Sequence, residues 1–185
     1  VVNIIPQAGG TIGLGAGAGT LSLDDTELNR INTSGTVTIG TNGTTAITVD
    51  GWTDDGGLTG TVVLTADNAA GTVTFSGSAS TLTAGLTVNS DAGVTVSVDV
   101  TTAGTTDINA DEDGSGGGTF TLDAGIDLDA GAGALTIAGA GFALATNANT
   151  DILTTGALTL VATNSATITV AADTGFGITN TELSY

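Results

Sequence analysis

The sequence predicts an all-β chain wound into a parallel β-solenoid of roughly eight rungs, at about 20 to 24 residues per coil. Three observations carry this. Apolar residues alternate with Thr, Ser and Asp in short runs. Gly, Asn or Asp stands between almost all of those runs, as a chain that turns corners repeatedly requires. The apolar phase is Val, Leu, Ile and Ala, which suits a narrow coil interior, whereas an antiparallel β-sandwich, the competing architecture, would want more large aromatic residues.

The alternating runs follow one another along the chain. They read GTVTIG (35–40), TAITVDG (45–51), GTVVLTAD (60–67), GTVTFSG (71–77), GLTVNS (85–90) and GVTVSVDV (93–100). Then come GTFTLDAG (118–125), GALTIAG (133–139), GALTLVAT (156–163) and SATITVAA (165–172). Each is a half-buried strand by its period of two, rich in β-branched Thr and Val. Strand cores of about 4 to 6 residues are short even for a globular sheet. The alternation assigns Val37, Ile39, Ile47, Val49, Val73, Phe75, Leu86, Val88, Leu135, Ile137, Leu158, Leu160, Ile168 and Val170 to the interior. No segment sustains a helical period, and the reading is a single module over 1–185.

Composition narrows the partners. Against 19 acidic residues stands one basic side chain, Arg30, for a net charge of −18. Nucleic acid and anionic membrane demand Lys and Arg, so neither is expected as a partner. No run of 18 apolar residues exists, so no membrane-inserted helix is expected. Cys, His, Met and Lys are all absent. Their absence removes disulfides, thiolate nucleophiles, the familiar triads, zinc sites and Schiff bases, and no enzymatic activity is expected. The charge favours cations and salty or calcium-bearing surroundings.

Two segments repeat. Leu21, Leu23 and Leu28 align without a gap on Phe176, Ile178 and Leu183, and Thr26-Glu27-Leu28 on Thr181-Glu182-Leu183. The stretch TIGLGAGAGTLSLDDTELNRINTSGTVTIG (11–40) resembles the repeats of large secreted bacterial β-helix proteins, the filamentous-haemagglutinin-like exoproteins and adhesins. Its matching parts are Ile12, Leu14, Leu21, Leu23, Glu27, Leu28, Arg30, Ile31 and Gly35 to Gly40. Residues 119–141 share the style. The resemblance implies a right-handed parallel β-helix that is secreted, long and structural or adhesive. It implies no catalytic residue. Leu21, Leu23, Leu28, Phe176, Ile178 and Leu183 are therefore the expected assembly positions. Either the chain is one period of a longer array, or copies of it stack end to end.

In INADEDGSGGG (108–118), Asn109, Asp111 and Asp113 alternate ahead of Gly114, as in the first half of a calcium loop. The twelfth position is Phe120 and not Glu, so Asp107 or Asp123 would have to substitute, and the plainer reading is a solvated acidic turn. Ca²⁺ is the one cofactor the sequence offers. DDGG (54–57) reads as a loop, and Trp52 as a ring covering a loop edge or exposed to a sugar or partner. GLGAGAG (13–19) lacks the helix a dinucleotide fingerprint requires, and AADTG (171–175) is a lone aspartic-protease-like triplet. The pairs Thr36/Thr38, Thr72/Thr74, Thr119/Thr121 and Thr167/Thr169 suggest ice-binding faces but do not recur rung by rung.

These readings converge on an extracellular or cell-surface structural module, a filament, sheath or adhesin stalk whose partners are copies of itself. Two alternatives stand beside it. One is a pilus or surface-layer sandwich with VVNII (1–5) as a donor strand. The other is a calcium-dependent carbohydrate-binding module.

Overall fold

The computed structural model describes residues 1–41, 43–145 and 150–164. The chain opens with β1 (Val2–Ile4), β2 (Thr11–Gly15), β3 (Leu21–Leu23) and a short helix α1 (Asp25–Leu28), then continues through β4 (Val37–Gly40) and β5 (Ala46–Asp50). Four three-sided turns follow. They are β6 (Thr61–Ala66), β7 (Thr72–Phe75) and β8 (Ser80–Leu82); β9 (Gly85–Ser90), β10 (Gly93–Val96) and β11 (Val100–Thr102); β12 (Thr106–Asn109), β13 (Thr119–Leu122) and β14 (Asp127–Asp129); and β15 (Leu135–Gly139), β16 (Gly141–Leu144) and β17 (Asp151–Leu153). The last described strand is β18 (Leu158–Ala162).

The strands stack into three sheets, ordered β1-β4-β6-β9-β12-β15-β18, β16-β13-β10-β7-β5-β2-β3 and β17-β14-β11-β8. Among the described residues every strand pair is parallel. The fold is a parallel β-solenoid, and the antiparallel sandwich is excluded. VVNII is not a free donor strand, because β1 pairs with β4 of the same chain.

The described residues make about five regular turns, not eight: the four three-sided turns and the β4–β5 turn, whose third side is a single bridge from Thr53 to Thr81, preceded by an irregular opening turn from β1 to α1. The coil length is uneven. Leu86 faces Thr106, 20 residues on, but Val2 faces Val37, 35 residues on. The long first turn carries β3 and α1, and the turn from Thr106 to Leu135 carries the acidic loop after β12. The end of the chain lies outside the described residues.

Alternation fills the interior as the pattern requires. In the first sheet Val37/Ile39, Val62/Leu64, Leu86/Val88, Thr106/Ile108 and Leu135/Ile137 stack on one another, all buried. In the second, Ile12/Leu14, Ile47/Val49, Val73/Phe75, Val94/Val96 and Phe120/Leu122 do the same. Every expected interior residue up to Ile137 is buried; Leu158 and Leu160 are half-buried against the core. Ile168 and Val170 lie outside the described residues.

Two local structures depart from the alternating pattern. DDTEL is a capping box: the Asp24 carboxylate accepts the Glu27 N–H at 2.8 Å, and the Glu27 carboxylate accepts the Asp24 N–H at 3.1 Å. Leu28 then anchors α1 in the core. GLGAGAG is a compact reversal that brings β3 back parallel beside β2. A Cβ on Gly13 would lie 2.0 Å from the Gly17 oxygen, and one on Gly17 would lie 2.4 Å from the Thr48 oxygen. Only bare backbone fits so closely, which explains the alternate glycines without a nucleotide.

Candidate functional site: the acidic turns and stacked carboxylates

The acidic loop of 110–118 leaves β12 at the corner between the first and second sheets. Its centre is Asp111, 1% exposed. The Asp111 carboxylate accepts the N–H of Gly116 at 3.0 Å and of Gly118 at 3.3 Å, and its second oxygen accepts the Thr163 hydroxyl. Burial alone pushes this carboxyl up. The hydrogen bonds from Thr163 and from the backbone of Gly118, Gly116 and Gly117 outweigh burial and hold it below the ordinary aspartate range. Gly118 is required here, since a Cβ would sit 1.6 Å from the Ala110 oxygen.

The other two expected calcium ligands are also tied to backbone. Asn109 Oδ1 accepts the Asp111 N–H at 3.2 Å, and Asp113 Oδ1 accepts the Ser115 N–H at 2.9 Å. Three oxygens thus close three successive turns of one loop. Among the described residues no group of three or more His, Cys, Asp or Glu is arranged to hold a metal ion.

The same corner carries a column of carboxylates from successive turns. Ala66 and Ser90 are register partners, so Asp67 follows β6 where Asp91 follows β9. One rung on, the Glu112 N–H donates to Ser90 O. Asp91 is 6% exposed, and one of its oxygens is buried without a partner, as is one of Asp67. Burial raises the Asp91 carboxyl, helped by the charges of Asp113 and Asp67. Glu112, an exposed residue, is raised as well, by partial desolvation and by the charges of Asp67, Asp91 and Asp113.

A second column runs up the third sheet. Asp127 is in register with Asp151, and its N–H donates to Asp99 Oδ1 at 3.0 Å. One Asp127 oxygen is buried and unpartnered. Burial raises its carboxyl, and so do Asp151 and Asp99.

The Asp99–Asp127 bond belongs to a recurring device. Asp25 Oδ1 accepts the Thr53 N–H at 3.0 Å and Asp50 Oδ1 the Ser78 N–H at 2.8 Å, each 28 residues ahead, the same separation as Asp99 to Asp127. Asp54 does so 29 residues ahead, at Thr83, at 3.2 Å. In each case a carboxylate at a corner receives a backbone N–H from the next turn. The signal was present as a spacing of Asp residues, but it becomes readable only once the coil length is known. DDGG is a loop, as read, and it is anchored by Asp54, which is buried and bonded to Thr83. Trp52 beside it is buried in the core, which excludes the alternative of an exposed contact ring.

Asp24, Asp25 and Asp50 line a shallow depression beside α1 with Gly15 and Ser78, and all three carboxylates accept backbone N–H groups. On the second sheet Thr48, Thr74, Thr95 and Thr121 form one in-register column over four consecutive rungs. The Thr-x-Thr pairs do not recur rung by rung, yet single threonines do. Of the expected assembly residues, Leu21 and Leu23 lie half-buried on β3, the outermost strand of its sheet, and Leu28 is buried. Phe176, Ile178 and Leu183 lie outside the described residues.

Comparison with protein-family models, with curated proteins and with solved structures found no match.

Proposed function

We propose that this chain is a structural module of an extracellular or cell-surface β-solenoid, a filament, sheath or adhesin stalk that stacks end to end. The observation that carries this is the edge at the first turn. β1 and β3 are the outermost strands of two seven-stranded sheets. The edge is apolar: Val1 and Ile5 are 87% and 60% exposed, and Val2, Ile4, Leu21 and Leu23 are only half-covered. A further rung of the same kind would pair the outward backbone groups and continue the Val, Ile and Leu columns. A head-to-tail contact of this sort does not close and generates a filament. The likeness of 11–40 to exoprotein repeats supports the same reading, as does an acidic surface that suits solubility over binding to nucleic acid.

The test is light scattering and electron microscopy of the purified chain across salt. Screening beyond about 8 to 10 Å should ease the approach of two units of charge −18. Fibres or end-to-end oligomers that grow with salt are expected. The Val2 N–H donates inward to Thr36 O, so the Asn3 N–H points to the open side. An Asn3→Pro variant that keeps its β circular dichroism should remain monomeric. Wild-type chain that stays monomeric at every salt concentration would defeat end-to-end assembly.

A further inference from the structure

The geometry points to a fold that tightens in mild acid, because two columns of stacked carboxylates hold successive turns apart electrostatically at neutral pH. The first column is Asp99, Asp127 and Asp151 on three consecutive turns of the third sheet. The second is Asp67 and Asp91, which follow register partners Ala66 and Ser90 at the corner between the other two sheets, with the exposed Glu112 of the next turn beside them.

Neighbouring strands in a sheet are about 4.8 Å apart, so like charges in register repel at close range. In each column no cation offsets the repulsion, and the backbone N–H groups that bond these carboxylates, Asp151 on Asp127 and Asp113 on Asp91, relieve it only in part. Asp127 is faced by Asp99 from the turn before, Asp151 from the turn after and Asp129 on its own strand, all acidic. Asp91 is faced by Asp113, Asp67 and Asp111, and Glu112 by Asp67, Asp91 and Asp113. The single basic side chain, Arg30, is exposed between α1 and β4, at the other end of the stack from β14 and β17.

Burial adds to the charge. Asp67, Asp91 and Asp127 each hold one oxygen out of solvent with no hydrogen-bond partner. A protonated carboxyl removes a charge and gains a donor, so it can bond the neighbouring carboxylate one rung away. Protonation thus converts a repulsive rung contact into an attractive one.

The sign follows from linkage. Asp91, Glu112 and Asp127 have folded values above the ordinary 3.8 for Asp and 4.5 for Glu. A group raised on folding contributes stability that is full below its unfolded value and is lost as pH rises through its folded value. Stability should therefore climb as pH falls from 7 toward about 4.

The experiment is thermal unfolding from pH 7 to 4 at a concentration where light scattering shows single chains, which separates it from the assembly proposal. Wild type should melt at a higher temperature at pH 4 to 5 than at pH 7. The Asp91→Asn/Asp127→Asn double variant should melt above wild type at pH 7 and lose about half or more of the acid-induced rise. Asp55→Asn, outside both columns, should keep the wild-type profile. A wild-type melting temperature that falls steadily from pH 7 to 4 would overturn the inference, and so would a double variant that retains the full rise. If the double variant does not fold, the two single variants, each expected to lose part of the rise, decide the matter in the same way.

Discussion

At the scale of single residues, Asp111 and Gly118 form one unit. The carboxylate can receive the Gly116 and Gly118 N–H groups only because Gly118 lets the chain pass over Ala110. Gly118→Ala should cost about 1 to 3 kcal/mol by forced displacement, seen as a lower denaturant midpoint at unchanged slope. Asp111→Ala leaves the Gly116 and Gly118 amides without their acceptor, the second of them buried, and should cost about 1 to 3 kcal/mol. The titration of Asp111 runs opposite to that of the stacked columns. Its carboxyl is lowered on folding, so its stabilisation is present above the ordinary 3.8 and is lost as pH falls through the lower folded value. Stability should therefore peak in mild acid and decline in stronger acid, and Asp111→Asn should flatten the decline in an acid-unfolding titration.

At the scale of elements, the inward face of the first sheet is apolar except at Ser90 and Thr106, and Thr106 places a hydroxyl among Val, Leu and Ile. Thr106 Oγ1 meets Thr102 Oγ1 at 2.5 Å across the corner, and both residues are buried. Thr106→Val alone should destabilise by about 1 to 3 kcal/mol, because it orphans Thr102. Thr102→Val with Thr106→Val should recover most of that loss, giving a large coupling energy in a double-mutant cycle. Such buried pairs explain how far the sequence could be read. Alternation located the strands and their inward faces, since Val37, Ile39, Val73 and Phe75 carry a period of two that only one face can bury. It could not locate the corners, because their order depends on bonds between residues 28 or so apart, such as Asp25 to Thr53 and Asp50 to Ser78. The helix α1 was legible in principle from Asp24 and Glu27, but at four residues it carries no helical period.

At the scale of the whole molecule, almost every stabilising contact joins a turn to the next one, over separations of 20 to 35 residues. Parallel pairing of this kind demands loop closure before it gains contacts, so refolding should be slow, on the order of milliseconds to seconds or longer, in stopped-flow measurements. Stability should also behave as a sum of turns and the interfaces between them. Phe75→Ala removes a large buried side chain from the middle of the stack and should cost about 3 to 5 kcal/mol. If turns couple only to neighbours, native-state hydrogen exchange should show the loss concentrated in the amides of β5, β7 and β10, the strands stacked with Phe75.

The uneven coil lengths carry one more consequence. Successive strands stay in phase whether 20 or 35 residues separate them, so the spiral counts side chains along each flat wall and ignores how much chain bulges out between walls. The bulges are places where foreign sequence can be housed. A short flexible peptide placed between Gly114 and Ser115, both exposed, would lengthen a loop that already projects from the stack. Each doubling of loop length should add only about 0.6 kcal/mol of closure cost. The rod would then serve as a scaffold for display, with cargo presented at a chosen level along its axis.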